Sequence, residues 1–243
     1  MSGVLPFTIC STLSDANMRP SFEQELDIAQ KFTDFINRQV GVYCDSLTAF
    51  TGNKARIERH LAHVMRPSRR YVEDGVPHVM WASFEEPNRP EPLLHRIIPT
   101  KQFADDNSER GYNHQQTCWS AIVFLFSYWD EDIRPALARA RGVEPNMITV
   151  DAFGDLRVLR KAIIHNGGVI TATEHGKLKL LGEMFSPGTP ITPSHDEMHR
   201  IFLVAKKALA QLILADAMDL PGAPKLDEIA ELTVQRGPRI RNV

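Results

Sequence analysis

The chain has 243 residues, 43% of them hydrophobic and 24% charged, with 28 Lys and Arg against 30 Asp and Glu. That balance suits a folded globular chain and excludes disorder as its dominant state, because apolar content is high and net charge low. A formal charge of −2 also excludes a protein that coats nucleic acid by overall charge, leaving only local basic patches for that purpose. Cys10, Cys44 and Cys118 share no CxxC spacing, so they predict neither a thiolate zinc site nor a redox pair, and their sparse, odd count fits a reducing compartment. The longest apolar run, Ala121–Phe126, falls far short of the ~20 residues of a spanning helix. No Lys or Arg precedes Arg19, so no signal peptide is predicted and the expected location is the cytoplasm.

Residues 1–20 read as irregular. Ser21 and Gln24 then form a capping-box pattern ahead of a long apolar seam: Phe22, Leu26, Ala29, Phe32, Ile36, Val40, Tyr43, Leu47 and Phe50. Steps of three or four residues throughout predict a helix of about 42 Å, with Thr51–Gly52 as its stop. Asn53 is read as the cap of a second helix that carries Ile57, Leu61, Val64 and Met65 and ends by Pro67. This second segment is basic, with Lys54, Arg56, Arg59, Arg66, Arg69 and Arg70 against Glu58. Such a face either grips phosphates or is simply solvated.

The helical period lapses over residues 71–112. His78–Phe84 and Leu93–Ile98 are predicted as short strands, and Asp105–Gly111 as a polar loop. A helix follows from Asn113 to about Arg141, apolar at Trp119, Ile122, Val123, Phe126, Trp129, Ile133 and Leu137, and kinked by Pro135. Another runs from about Thr149 to Ile164, on the stripe Ala152, Leu156, Leu159 and Ile163, and stops at Asn166–Gly167–Gly168. Val169–Leu181 alternates weakly, as in a small hairpin. Ser194 and Glu197 form a second capping box, opening an apolar helix to about Met218. A linker, a short amphipathic piece at Leu226–Val234 and a basic tail with Arg236, Arg239 and Arg241 complete the chain.

The stretch richest in chemistry is Asp155–Gly168, D-L-R-V-L-R-K-A-I-I-H-N-G-G, in which Arg160 is followed after four residues by His165. It resembles the Arg-x(4–6)-His signature of the HEPN superfamily, and Ser127–Arg134 is similar to an aromatic–Trp–acid stretch on an earlier helix of some members. The resemblance covers about residues 113–218. It implies a mainly α fold, a HEPN-like helical bundle with the long N-terminal helix and small irregular or hairpin insertions added. The expected division is an N-terminal extension over 1–110, the HEPN-like domain over 111–220, and a linker and tail over 221–243. The resemblance also implies a homodimer and a metal-independent endoribonuclease without a cofactor, of the kind found among toxins and phage-defence effectors, with an antitoxin or regulatory protein as partner. A non-catalytic HEPN-like binding protein is the alternative.

The residue types suit that chemistry. Cleaving RNA without a metal requires a group that moves protons on and off the 2′-OH and the leaving 5′-oxygen, and imidazole titrates near neutrality. It also requires a cation facing the phosphoryl oxygens, which the permanent charge and planar fork of Arg provide. His165 is the candidate acid–base group and Arg160 the candidate phosphorane stabiliser. Asp130 is either an acid that orients one of them or part of a solvated acidic turn. Asn166 is a phosphate contact or a helix cap. Five helical positions turn Arg160 and His165 about 140° apart, so they do not converge from one straight helix face. His165 fits a dimer cleft, or simply a cation at a helix C-terminus. Lys161 replaces the polar residue that family members favour after the Arg; it either aids phosphate binding, with Arg56 and Arg59, or marks a degenerate site. A weaker constellation, His195 and His199 one turn apart, has the spacing of a zinc pair without a clear third ligand.

Overall fold

Helix α1 (Pro20–Val64) is one continuous rod of 45 residues in the computed structural model, which describes residues 20–64, 77–84 and 92–214. The break expected at Thr51–Gly52 is absent. A glycine inside a helix costs only about 1 kcal/mol, and the hydroxyls of Thr48 and Thr51 donate to the Cys44 and Leu47 carbonyls four residues back, so neither competes for a cap. Asn53 lies inside the rod and accepts from Arg56. The helix begins at Pro20, which places Ser21 within its first turn instead of at the cap. The seam itself is as expected, with Phe32, Ile36 and Tyr43 fully buried.

Strands β1 (His78–Phe84) and β2 (Pro92–Pro99) pair antiparallel, with a bulge at Trp81/Ala82. Helix α2 (Thr100–Asp106), which the sequence reading did not predict, follows directly and is anchored by buried Phe103 and Ala104; it takes in the first two residues of the polar loop expected over Asp105–Gly111, and residues 107–111 form turns as expected. Helix α3 (Tyr112–Tyr128) passes through a π turn (Trp129–Ile133) into α4 (Arg134–Arg141). The disturbance expected at Pro135 is therefore displaced upstream. Proline lacks the N–H and crowds the carbonyl four residues back, that of Glu131, and the wider turn relieves both defects.

Helix α5 (Asp151–His165) ends as predicted, with Gly167 and Gly168 at positive φ. The hairpin expected over Val169–Leu181 is not formed. Instead Thr171 and Glu174 build a capping box that opens the single turn α6 (Ala172–His175). The Thr-x-x-Glu spacing was present to be read, and the β-branched residues around it masked it. The box at Ser194 and Glu197 does form, with hydrogen bonds of 2.6 and 3.3 Å, and opens α7 (His195–Leu214). The amphipathic piece Leu226–Val234, the basic tail, the 221–243 segment and the basic residues Arg66, Arg69 and Arg70 lie outside the described residues.

The fold is mainly helical, and one core spans it. Phe32, Ile36 and Tyr43 of α1 join Ile122 and Leu125 of α3, Leu156 and Leu159 of α5, and Met198, Phe202 and Leu209 of α7. The boundary expected near residue 110 thus does not separate two cores: α1 supplies one wall of the bundle. Arg141 at the end of α4 reinforces this by donating to Glu25 at 2.6 Å, and to the Leu212 carbonyl of α7. No helix among the described residues is long and apolar enough to cross a membrane.

Where α1, α3 and α7 meet, His114 is 4% exposed and accepts the Arg110 N–H at Nδ1 (3.1 Å), which leaves Nε2 to donate to the Tyr43 hydroxyl (3.3 Å). Arg110 is held at φ 61, in the left-handed region. The rings of His195 and His199 pack against Tyr43 from α7. Burial lowers the pKa of His114 below its ordinary 6.5; Glu109 opposes the shift, and His195 and Arg110 add to it. Burial also lowers His199, with His195 adding. The unfolded chain then binds more protons than the folded one below pH 6.5. Stability is fully present above that value and lost as pH falls through the folded pKa values. The melting temperature is expected to drop between pH 7.5 and 5, and to drop less in His114→Phe; equal slopes in the two proteins would remove His114 from the account.

Candidate functional site

Helix α5 lies antiparallel on α3. Its Phe153 stacks on Trp129 at 3.8 Å, while Gly168, past its other end, meets Trp119. This arrangement lays the 157–161 flank of α5 beside the π turn. Between them opens a pocket of about 350 Å³ lined by Phe126, Asp130, Arg134, Arg157, Arg160, Lys161 and His165. Four of the residues singled out in the sequence, Asp130, Arg160, Lys161 and His165, therefore border one cavity. Arg160 reaches it with its guanidinium over the Phe126 ring, 5.8 Å from the centroid. His165 borders it from the last turn of α5 and is exposed. The 140° between the two residues on an ideal helix is thus bridged by a long side chain and an open cleft that wraps the helix end, not by unwinding before His165.

The partners of these residues differ from expectation. Asp130 pairs with Arg134, at 2.5 Å across the π turn, and with neither Arg160 nor His165. Lys161 pairs with the buried carboxylate of Glu174 at 3.0 Å. The same carboxylate accepts from Asn166 Nδ2 (3.2 Å) and from the N–H and hydroxyl of Thr171. Lys161 and then the Thr171 N–H hold Glu174 below its ordinary pKa. Asn166 is the C-cap residue of α5, tied to Glu174 by its side chain.

Arg56 and Arg59 are not brought to this pocket. Phe35 packs on Tyr128 beside the π turn, and Arg56 lies about 30 Å farther along α1 at 1.5 Å per residue. Both arginines make local contacts instead, Arg56 with Asn53 and Arg59 with the Ala55 carbonyl.

The pocket adjoins a larger cavity of about 660 Å³, with which it shares Phe126, Asp130, Arg134, Arg157 and Lys161. Ile148, Val150 and Phe153 contribute apolar lining to this second cavity, and Lys177 and Lys179 contribute cations. Lys179 is paired with Asp151 at 2.7 Å. Among the described residues, Arg157, Arg160 and Lys177 have no ion-pair partner, so the joined groove carries unbalanced positive charge. Arg157 was missed in the sequence, although it lies three and four positions before Arg160 and Lys161 and so shares their helix face.

Asp155 was also missed as a separate element of the site. It is 1% exposed, and its carboxylate accepts the backbone N–H groups of Lys179, Leu180 and Leu181 at 2.7–3.1 Å. One α5 side chain therefore fixes the segment that carries Lys177 and Lys179. The signal was a carboxylate on the apolar stripe of α5, next to Leu156 and Leu159.

Gly168 follows the end of α5 and packs against Trp119. Its φ is +80°, and a Cβ there would lie 2.2 Å from Trp119 Cζ2, whose ring is fixed by an Nε1–H bond to the Ile191 carbonyl. Gly168→Ala is expected to cost about 2–4 kcal/mol, from the left-handed backbone and the displaced indole. Urea unfolding measures it, and Gly167→Ala, which meets open space, should cost less.

His195 and His199 stand edge to face, 4.5 Å between ring centroids, against Tyr43. No group of three His, Cys, Asp or Glu side chains positioned to hold a metal occurs among the described residues. Comparison of the chain with protein-family models, with curated proteins and with solved structures finds no match.

Proposed function

We propose that the protein is a metal-independent endoribonuclease of HEPN type, acting as a homodimer. The observation that carries this reading is the meeting of Arg160 and His165 on one open pocket whose cations outnumber its available carboxylates. His165 takes the proton from the 2′-OH as that oxygen attacks the adjacent phosphorus. A proton then passes to the departing 5′-oxygen, from the same imidazole or from that of the partner subunit. Arg160 faces the equatorial oxygens of the phosphorane, where negative charge accumulates. Arg157 and Lys177 extend the positive groove along which the strand lies.

One observation favours a second reading, a non-catalytic dimeric RNA-binding or regulatory protein. No described residue hydrogen-bonds His165, so none of the described residues orients its ring through such a bond. The deciding experiment is incubation of an end-labelled structured RNA with wild type and His165→Ala in the presence of chelator. Cutting that persists in chelator and disappears in the variant supports the nuclease. Binding without cutting by both folded proteins favours the second reading.

A further inference from the structure

We infer that Arg134 is a second anion-binding residue of this pocket, that Asp130 is its intramolecular mask, and that Arg134 and Arg160 together receive one phosphodiester group. The inference rests on the RNA reading above and adds to it a residue and a role that the Arg-x4-His spacing does not contain.

Among the described residues, two buried side-chain polar atoms lack a hydrogen-bond partner, and they are Arg134 Nε and Arg160 Nε. Both arginines line the same pocket of about 350 Å³, although one stands at the start of α4 and the other on α5. Folded proteins satisfy the large majority of their buried donors. Two unsatisfied Nε–H groups, on arginines that tertiary packing brings to line one cavity, mark a place where an acceptor is missing. Reorientation of each fork toward an acceptor in the pocket would satisfy them, and a phosphodiester offers two non-bridging oxygens to two planar forks.

The pairing of Asp130 supports the masking role. Its partner is Arg134, one turn away, with both side chains about a third exposed (36% and 31%). An ion pair this open holds weakly and exchanges readily for a better acceptor. Asp130 touches neither Arg160 nor His165, so orienting them is not its work. The adjoining cavity extends the cation line through Arg157 to Lys177, as a chain of phosphates requires and a single small anion does not.

The test uses the full chain and a fluorescently labelled 2′-O-methyl RNA, which lacks the attacking hydroxyl and so reports binding without cleavage. Arg134→Gln is expected to weaken binding about tenfold and to lower the slope of log K against log salt by about one. Asp130→Asn is expected to tighten binding about threefold, and this gain should vanish when Arg134→Gln is also present. Arg134→Lys, which keeps the charge and loses the fork, should fall between. Circular dichroism verifies that each variant is folded.

Unchanged affinity and salt slope in Arg134→Gln would overturn the inference. So would an Asp130→Asn variant that binds more weakly than wild type. Displacement of long and short strands alike by inorganic phosphate well below millimolar concentration would overturn the phosphodiester occupant in favour of a free ion. Arg134-dependent binding by a chain that never cuts ordinary RNA would overturn only the nuclease reading. Cutting that is accompanied by Arg134-independent binding would overturn only this inference.

Discussion

Asp155→Ala is expected to destabilise the fold by about 3–5 kcal/mol, a large effect for one side chain. The carboxylate is almost fully buried and accepts three consecutive backbone N–H groups, those of Lys179, Leu180 and Leu181. Removing it leaves three donors without their acceptor, and an unsatisfied buried donor costs about 1–3 kcal/mol. Leu181 is itself fully buried, so water does not easily replace the lost partner there. Asp155→Asn keeps one carbonyl oxygen and should lose about half as much. At about 2–4 °C per kcal/mol for a chain of this size, the alanine variant should melt roughly 6–20 °C lower. A shift under two degrees would mean that the 177–181 segment is held by other contacts. The same variant loosens the rim that carries Lys177 and Lys179, so under the proposed function RNA affinity should fall in it even at temperatures where it remains folded.

The parts of this fold that could be read in the sequence are those where burial recurs with a helical period. The seam of α1 and the stripe of α5 are as expected because each pairs a regular apolar spacing with a matching wall of core. The continuity of α1 through Gly52 was not legible, because a local penalty of about 1 kcal/mol is smaller than the cooperative gain of extending a helix already formed and packed through Tyr43. The π turn was not legible either. Pro135 announces a disturbance, but whether it appears as a kink or as a wider turn upstream depends on where Trp129 and Ile133 must point to be buried.

The candidate site divides along the same line. Arg160 and His165 were legible as a spacing of chemically apt residues, and Lys161 and Asp130 as charged neighbours of apolar stripes. Their pairing was not. Lys161 meets Glu174 only because the capping box of α6 turns that carboxylate inward, and Asp130 meets Arg134 because the π turn keeps them adjacent. The charge on Lys161 is therefore already answered, whereas that on Arg160 is not. Lys161, the residue at which the sequence departs from the pattern it resembles, is paired with a carboxylate thirteen positions away in the chain.

This difference between the two cations sets the second large expectation, which concerns rates. Under the proposed chemistry, His165→Ala should slow RNA cleavage by about 10²–10⁴-fold, the usual span for a lost acid–base group. Arg160→Ala should slow it by about 10²–10³-fold, as loss of a transition-state donor does. Arg160→Lys should retain part of the rate, because charge survives and the planar fork does not. The double variant should be little slower than His165→Ala alone, since both residues act on one phosphorane and their effects do not add. Lys161→Ala should behave differently from all of these. Its ammonium is engaged with Glu174, so its loss should reach the rate indirectly, through the Asn166–Glu174–Thr171 contacts that fix the end of α5. A several-fold fall in rate with a lower melting temperature is the expected pair of results. A fall as deep as that of Arg160→Ala, at an unchanged melting temperature, would place the Lys161 charge on the substrate instead.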